Sequence, residues 1–350
     1  MSYTNGLDNP ELYFQTKLYT GNGTSQSITL DGSENMQPDW VWIKERSSTS
    51  DHSLHDSVRG STKIVKSSTN AAEITRTGSI TSFDSDGFSL GDNAGVNENS
   101  QTYASWNWLA GGTASSNSNG SITSSVSANT TAGFSIVSYT GTGSTATIGH
   151  GLSSTPQVVL IKCRSDATNW HMYHSSVTTA DNQVMYLDLN YALSTLTTSS
   201  FDVSEFSSSV FGLNTNDAVN GSGRTYIAYC FAEKKGYSKF GSYTGNGNAD
   251  GTYIHLGFKP AWVMLKRTDT TQDWYMFDNK RDTINPMDIY LRANESGAEP
   301  SAFTFFDFLS NGFKCRNSAS AVNASGGTYI YMAFAESPFV NSNGVPNNAR

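Results

Sequence analysis

Charge is scarce in this sequence. Charged side chains make up 15 % of the 350 residues, the net charge is −8, and no lysine-rich or arginine-rich run occurs. A protein that follows the phosphates of a nucleic acid needs clustered basic side chains. We therefore expect no nucleic-acid partner.

Long apolar runs are missing as well. No stretch approaches the roughly 20 apolar residues that span a bilayer. The sequence starts MSYTNGLDNPELYF, without the basic residues and apolar block of a secretory signal. We therefore expect neither membrane insertion nor export by the common secretory route.

Cysteine and histidine are few and scattered. The cysteines fit neither a zinc site nor a disulfide framework, and we expect buried free thiols at Cys163, Cys230 and Cys315. His171 and His174, with Asp166 nearby, are candidate metal ligands. Their spacing would bring two side chains together only on a helix, whereas Trp170 and Tyr173 indicate a strand. We predict no metal site.

No group of residues has the spacing of an active site. His55, Asp56 and Ser57 are adjacent, but a catalytic triad assembles from distant segments. Asp84, Asp86 and Asp92 could offer oxygens to calcium, but their loop lacks the glutamate and spacing of the EF-hand pattern, and we interpret them as turn residues. No glycine-rich phosphate loop leads into a helix. The expectation is a protein that is not an enzyme and uses no cofactor.

Serine, threonine, asparagine and glycine supply the polarity that charge does not. Their side chains suit turns and exposed strand faces and disfavour helix interiors. Aromatic residues, at 12 % of the chain, still provide material for packed cores. The composition predicts a folded β protein with a hydrated surface.

Three landmarks recur in the same order and at nearly matching offsets. The first is a Tyr-Thr strand end that enters a glycine turn, at residues 19–23, 139–143 and 243–247. The second is a proline that opens an apolar run ending in lysine, at residues 38–44, 156–162 and 260–266. The third is an Asn/Gly-rich turn before an aromatic strand, at residues 97–108, 220–233 and 323–336. Internal repeats of this kind predict three copies of one module.

The repeats also predict which residues are equivalent. A proline marks a strand boundary, and the run behind it is apolar on both faces, as in a strand buried between two layers. The offsets align two sets of residues: Trp40, Val158 and Trp262, and Tyr103, Tyr226 and Tyr329. Arg46 and Arg164 also recur, which indicates a structural role within the module.

About six to eight short strands per copy, separated by turn signals, are typical of sandwiches and barrels. We predict an all-β fold of three tandem β-sandwich modules, jelly-roll-like and related by internal repeat. The predicted divisions are an N-terminal arm (1–15), module 1 (16–112), a linker (113–132), module 2 (133–236), module 3 (237–340) and a C-terminal tail (341–350). The linker is nearly free of apolar residues, so we expect it to be mobile.

Aromatic side chains on a weakly charged Ser/Asn surface are typical of sugar-binding faces. The candidates for stacking on a pyranose ring are Trp106, Trp108, Trp170 and Trp274. The alternative, that these tryptophans fill the core, stays open.

The N-terminal arm carries an apolar cluster outside the repeat, made of Leu7, Leu12, Tyr13 and Phe14. One interpretation is that the cluster attaches the protein to a virion partner, with apolar burial worth roughly 25 cal/mol per Å². The other is that Leu12, Tyr13 and Phe14 extend the first strand and pack within module 1.

Four segments carry a resemblance to a known family: the Tyr-Thr-Gly-Asn-Gly turns and residues 38–44, 56–60 and 83–88. In these segments the chain resembles a family of repeat-containing virion proteins of marine tailed bacteriophages, and the similarity covers nearly its whole length. The resemblance implies a tail-fibre-like or lectin-like structural protein, without a function for any single residue. Module 2 departs from the pattern, because Val158 stands where the other copies carry tryptophan.

The leading hypothesis is a virion structural protein, assembled in the host cytoplasm and exposed on the particle. It would be a tail-fibre or receptor-binding component that contacts other virion proteins and host-surface glycans, as a homo-oligomer such as a trimer. The alternative is a capsid decoration or cement protein, for which three modules could mimic a trimer on a local threefold axis. A glycan depolymerase is the least favoured hypothesis, since no carboxylate pair stands out.

Overall fold

The computed structural model describes residue 4 and residues 6–348. Strands account for 43 % of the structure and helices for 4 %, so the all-β prediction is confirmed. The helices of the described chain are 3₁₀ turns at Pro10–Leu12 and Val203–Glu205 and α-helices α1 (Ala94–Asn97) and α2 (Asp217–Asn220). None of the described helices is long and apolar enough to cross a membrane.

Module 1 has one large sheet and two small ones. Its strands are β1 (Phe14–Thr20), β2 (Gln26–Thr29), β3 (Trp40–Glu45), β4 (Ser53–Asp56), β5 (Lys63–Ile64), β6 (Ile74–Thr75), β7 (Ile80–Asp84), β8 (Gly87–Leu90) and β9 (Thr102–Trp108). The large sheet has the order β1-β9-β3-β4, and the small sheets are β2-β8-β7 and β5-β6.

Module 2 has the most extended sheet. Its strands are β10 (Ser115–Asn117), β11 (Ser124–Asn129), β12 (Phe134–Thr140), β13 (Ala146–Gly149), β14 (Val158–Cys163), β15 (His171–His174), β16 (Gln183–Tyr186), β17 (Ser194–Thr195), β18 (Phe201–Asp202), β19 (Val210–Leu213) and β20 (Thr225–Phe231). The large sheet runs β10-β11-β12-β20-β14-β15-β16-β17, and β13-β19-β18 form the small sheet.

Module 3 contains two sheets. Its strands are β21 (Ser238–Thr244), β22 (Tyr253–His255), β23 (Phe258–Arg267), β24 (Trp274–Asp278), β25 (Met287–Ile289), β26 (Leu291–Arg292), β27 (Ser301–Leu309), β28 (Gly312–Cys315) and β29 (Thr328–Pro338). The large sheet has the order β21-β29-β23-β24-β26, and the small sheet has the order β22-β28-β27-β25.

The three large sheets contain the same run of four antiparallel strands. This run is β1-β9-β3-β4 in module 1, β12-β20-β14-β15 in module 2 and β21-β29-β23-β24 in module 3. The residues that the sequence aligned lie at one register position: Trp40 pairs with Trp108, Val158 with Phe231 and Trp262 with Phe334. A stacked tyrosine pair lies near the other end of each sheet, with ring centroids 5.0, 5.1 and 4.8 Å apart: Tyr19–Tyr103, Tyr139–Tyr226 and Tyr243–Tyr329.

A buried asparagine holds the glycine turn of each module. Asn97, Asn220 and Asn323 are inaccessible to solvent. Each Oδ1 accepts a hydrogen bond of 3.0 Å from a turn N–H, that of Asn22, Thr142 and Asn246 respectively. Each Nδ2 donates to loop carbonyls. These contacts explain why the first and third sequence landmarks recur together.

Each large sheet is buried on both faces. One face packs on the small sheet of its own module and forms a separate outer core, as Val41 and Ile43 do in module 1. The opposite faces of all three large sheets meet in one central core, which contains Trp40, Phe231 and Phe334. The three sandwiches therefore share a core instead of standing as separate units.

Residues 113–132 correct the expectation of a mobile linker. Strands β10 and β11 lie inside this segment and add to the edge of the module 2 sheet, with Val126 opposite Val137. The sequence argument counted apolar residues, but an edge strand also gains ladder hydrogen bonds. Together with Ile122 and Val126, which are buried in the outer core of module 2, these bonds order the segment.

Candidate functional site

The four tryptophans expected on a sugar-binding face lie inside the molecule. Trp106, Trp108, Trp170 and Trp274 are each at most 1 % exposed, which corrects the expectation that they stack on a pyranose. The ring of Trp108 packs against that of Trp40 in the central core, with centroids 4.5 Å apart. The other three donate indole N–H bonds across module boundaries, to Asp278 Oδ2 at 3.0 Å, Lys66 O at 2.7 Å and Tyr186 O at 2.7 Å.

The apolar N-terminal cluster packs mostly within the chain. Leu7 and Phe14 are 2 % exposed and belong to the central core, and Phe14 begins β1. Tyr13 meets Tyr237 edge-on, with ring centroids 5.8 Å apart. Among the four proposed attachment residues, Leu12 alone is exposed. Residues 1–3 and 5 of the predicted arm, and residues 349–350 of the predicted tail, lie outside the described residues.

Each module contacts the next through a segment that we call its strap: residues 66–76 in module 1, 186–196 in module 2 and 292–300 in module 3. One strap N–H donates to a carbonyl of the neighbouring module in each case, Glu73 to Arg164 (3.0 Å), Leu193 to Thr268 (2.8 Å) and Glu299 to Arg46 (2.8 Å). The third contact returns from module 3 to module 1, so the contacts close a ring. We name the boundaries the 1–2, 2–3 and 3–1 seams.

A chain of four charged side chains crosses the 1–2 seam. Asp56 pairs with Arg59 at 2.5 Å, Arg59 with Glu73 at 3.2 Å, and Glu73 with Arg164 at 2.8 Å. Tyr229 of module 2 also donates to Asp56 at 2.7 Å. Burial alone would raise the pKa of Glu73, but hydrogen bonds and charge from Arg164 and Arg59 outweigh it and hold the pKa below its usual range.

The 3–1 seam repeats this arrangement with other residues. Asp278 pairs with Arg281 at 2.5 Å, Arg281 with Glu299 at 3.0 Å, and Glu299 with Arg46 at 2.7 Å. Arg46 and Arg164 thus have the structural role that their recurrence indicates, but they act between modules. Removing one partner of such a buried ion pair is strongly destabilising, because the other charge is left buried without compensation.

The 2–3 seam lacks the charged chain. His174 lies opposite Val158 in the sheet, as Asp56 lies opposite Trp40. Three further positions of the charged chain are taken by uncharged residues at this seam: Val177, Leu193 and Thr268. The His174 Nε2 lies 3.3 Å from the Tyr331 carbonyl oxygen of module 3. The strap contact is kept while its charges are gone.

A cleft of about 600 Å³ opens at the 2–3 seam. Module 2 contributes Val177 and Leu193, and module 3 contributes Thr244 and Thr268. Asp269 lies at its rim, where the Arg267 guanidinium donates to both carboxylate oxygens, at 2.9 and 2.8 Å. A cleft of about 590 Å³ lies at the corresponding place beside β12, where Arg164 contributes to the wall.

Three buried lysines end the apolar runs of the second landmark. Lys44, Lys162 and Lys266 are inaccessible to solvent, and burial lowers their pKa to about 8, 8 and 7. The ammonium groups donate to backbone carbonyls, and two of them reach the strap of the preceding module: Lys162 binds Asn70 O at 3.1 Å and Lys266 binds Asn190 O at 3.3 Å. The recurrence of lysine is visible in the sequence, but no sequence signal indicates that the strap carbonyl is its partner.

The cysteines and three of the histidines are buried inside the modules. Cys163, Cys230 and Cys315 are buried free thiols, as the sequence predicts. Burial lowers the pKa of His52, His55 and His171 to about 3 each. Within the described residues no group of three or more His, Cys, Asp or Glu side chains could hold a metal ion. The geometry offers interlocked seams and two clefts.

Comparison with known proteins gives one match. A sequence profile described as "Domain of unknown function (DUF7483)" matches residues 9–338. This range includes all three modules and their seams. No curated protein and no solved structure matches the chain.

Proposed function

We propose that this chain, which belongs to the DUF7483 family, is a structural protein exposed on a bacteriophage particle, of the tail-fibre or receptor-binding class. Its partners are other virion proteins and host-surface glycans, and its role is binding rather than catalysis. The resemblance to virion proteins of marine tailed phages is the starting point of the proposal.

The ring closed by three strap contacts is the observation that carries the proposal. It places three related sheets around one core within a single chain. A trimeric partner presents three equivalent surfaces about its axis, and three related modules can meet all three at once. Contacts formed together in this way raise the overall affinity without any new type of contact. A trimeric fibre or tail protein is therefore the partner that this arrangement suits best.

A capsid decoration or cement protein is the second candidate, and the shared central core favours it. Because residues such as Trp40, Phe231 and Phe334 join all three modules, the ring resists separation of its parts. A rigid body with three related faces can bridge three shell subunits around a local threefold axis.

A glycan depolymerase has the least support. Carboxylates that could form a catalytic pair have to be available to a substrate. The buried carboxylates Asp56 and Asp278 and the half-buried Glu73 and Glu299 are instead held by arginines.

The position of the protein on the particle tests both leading candidates. Purified phage would be imaged by cryo-electron microscopy, with a gold-labelled antibody against this chain as an independent marker. We expect the label at the tail or its fibres. A label on the capsid would replace the first candidate by the second, and an unlabelled particle that also lacks the chain by mass spectrometry would overturn both.

A further inference from the structure

The 2–3 seam lacks the chain of ion pairs that crosses the other two seams, and the fold does not require this difference. The strap contact of Leu193 with Thr268 persists at 2.8 Å, so the seam closes without ion pairs. Threonine in place of arginine removes side-chain volume and charge, and leucine in place of glutamate removes a second charge. What remains is an uncharged wall facing a cleft.

We propose that the cleft at the 2–3 seam, lined by Val177, Leu193, Thr244, Thr268 and Asp269, binds a neutral saccharide of one or two pyranose rings. The inference rests on the proposed function for the source of the glycan, which is the host surface. The volume of about 600 Å³ lies within the usual range of small-molecule sites, about 300–1,000 Å³.

The apolar wall suits the C–H face of a sugar ring. Val177 and Leu193 are half-buried side chains that pack against the edge of the central core. The opposite wall is rich in hydroxyl groups, since Ser242, Thr244 and Thr328 line it. Hydroxyls donate and accept hydrogen bonds, which matches the mixed donors and acceptors of a pyranose.

Asp269 supplies an oriented acceptor at the rim. Its side chain is 38 % exposed, so it can reach a ligand while Arg267 holds it. The hydrogen bond from Arg267 lowers the pKa of Asp269 to about 2, and the group therefore stays ionised at neutral pH. Hydrogen bonds from a sugar hydroxyl to a carboxylate are among the stronger ones available in water.

The charges at the cleft select against anionic sugars. Arg267 is the cation beside it, and its guanidinium already serves Asp269 and the Ser320 hydroxyl at 2.7 Å. A sulfated or carboxylated sugar would face the Asp269 carboxylate without a free positive partner. The cleft beside β12 has the opposite character, because Arg164 contributes to its wall.

The site is formed before any ligand arrives. The backbone bond from Leu193 to Thr268 joins its two walls, and the Thr268 and Thr328 hydroxyls lie 2.8 Å apart. Binding therefore costs little ordering of the protein.

A glycan array tests the proposal with the full-length chain. The array carries neutral hexose and N-acetylhexosamine oligosaccharides beside their sulfated and sialylated forms, and the best neutral oligosaccharide is then titrated calorimetrically. Thr244→Trp fills the cleft from module 3, and Ser176→Trp fills it from module 2. Thr140→Trp is the matched control, because Thr140 ends β12 as Thr244 ends β21 and lines the separate cleft beside β12. Asp269→Asn removes the charge with little change of shape.

We expect the wild type to bind neutral glycans in preference to anionic ones. Each blocking variant should weaken binding at least 10-fold and Asp269→Asn about 10-fold, while Thr140→Trp binds like the wild type. Thermal unfolding shows whether each variant is folded. If one blocking variant does not fold, the other blocking variant tests the site. Failure to bind any neutral glycan, or equal binding by the blocked and control variants, overturns the site. The proposed function stands or falls separately, with the position of the chain on the particle.

Discussion

Tyr229 of module 2 donates its phenolic O–H to Asp56 of module 1 across 2.7 Å, and neither residue is exposed. The same carboxylate oxygen receives the Arg59 Nε–H at 2.5 Å. Asp56 therefore takes part in one contact within module 1 and in one contact across the 1–2 seam. Arg59 belongs to the same module as Asp56, whereas the bond from Tyr229 forms only when the 1–2 seam is closed in this register.

The donor and the acceptor change together at the other seams. At the 3–1 seam the pair is Trp106 with Asp278, at 3.0 Å. At the 2–3 seam the two register positions hold Met332 and His174, which have no such bond to form. A donor without its acceptor, or a carboxylate without its donors, would be costly when buried. This coupling explains why the donor position and the acceptor position both differ at the 2–3 seam.

Replacing Asp56 by alanine should destabilise the protein by about 3–5 kcal/mol, because it leaves the buried Arg59 guanidinium without its nearest counter-charge. Chemical denaturation followed by tryptophan fluorescence measures the change. Asp92→Ala, which removes an exposed carboxylate, is the control and should change stability by less than about 0.5 kcal/mol. Equal effects of the two substitutions would contradict the role assigned to Asp56.

Asn220→Ala should cost about 2–3 kcal/mol. The side chain of Asn220 accepts from Thr142 N at 3.0 Å and donates to Ser144 O at 2.7 Å and Asn214 O at 3.0 Å. Removing it leaves three buried or partly buried backbone groups without a partner, each worth about 1 kcal/mol. Asn220→Asp should be no better than alanine, since an acceptor would then face two carbonyls. A stability close to that of the wild type for Asn220→Asp would show that the donor bonds do not matter.

The strands could be predicted from the sequence, but the assembly of the modules could not. Proline before Trp40 and glycine after Tyr19 mark local events, and the apolar run at Trp40 correctly indicates burial on both faces. The second face, however, packs on strands more than a hundred residues away. Nothing local distinguishes a residue such as Trp108 that contacts another module from one that contacts a ligand, so the sequence leaves both interpretations of the tryptophans open.

The cleft at the 2–3 seam could not be predicted from the sequence either, because it also depends on contacts between modules. Val177 and Leu193 form one wall of the cleft at positions that hold charged residues at the other two seams. The equivalence of Leu193 with Glu73 is visible only from the strap contact, because no sequence motif marks it. The prediction of a mobile linker at residues 113–132 was wrong for a different reason. Composition counts side chains, whereas Val126 is held by a backbone ladder that composition does not report.

The charged chain at the 1–2 seam should behave as a unit. Arg164→Thr and Glu73→Leu give this seam the residues of the 2–3 seam. We expect Glu73→Leu alone to cost more than Arg164→Thr alone, because Glu73 serves both Arg59 and Arg164. The loss of stability in the double variant should be smaller than the sum of the two single losses, by at least about 1 kcal/mol. A double-mutant cycle in urea measures this coupling, and strictly additive losses would argue against a chain of interacting charges.

The N-terminal residues should separate into one that stabilises the fold and one that is free for a partner. Leu7→Ala removes a side chain that is 2 % exposed, and we expect a loss of about 2–4 kcal/mol. Leu12→Ala, at 36 % exposure, should leave thermal stability nearly unchanged. Incorporation into particles is the second readout: loss of incorporation for Leu12→Ala would support docking through this residue, and normal incorporation would exclude it from the attachment surface.

Acid should destabilise the protein through its buried histidines, and His52 shows why. Its Nδ1 accepts from the Trp42 indole N–H at 2.7 Å, so a proton added there would face a donor. Its Nε2 lies 3.0 Å from Arg292 O of module 3 and donates to it in the neutral ring. Burial, with the nearby Lys44 charge, lowers the pKa of His52 to about 3.

Between pH 6.5 and 3 the unfolded chain therefore binds a proton at His52 that the folded chain does not. The stability that this histidine contributes is complete above pH 6.5 and is lost as the pH falls toward 3, by roughly 1.4 kcal/mol per pH unit at most. His55 and His171 act in the same direction. Asp188 opposes them, because burial raises its pKa to about 6 and its protonation favours the folded state between pH 6 and 3.8.

Denaturation midpoints measured from pH 7 to pH 4 test this balance. We expect a steep loss of stability below pH 6 in the wild type, since four buried histidines with lowered pKa values, His174 among them, outweigh Asp188. In His52→Gln the side-chain amide can still accept from Trp42 and donate to Arg292 O, but it does not titrate. The variant should lose less stability than the wild type over the same interval, by about 2–3 kcal/mol. Parallel pH curves for the two proteins would mean that His52 is not protonated on unfolding, and the origin of acid sensitivity would lie elsewhere in the chain.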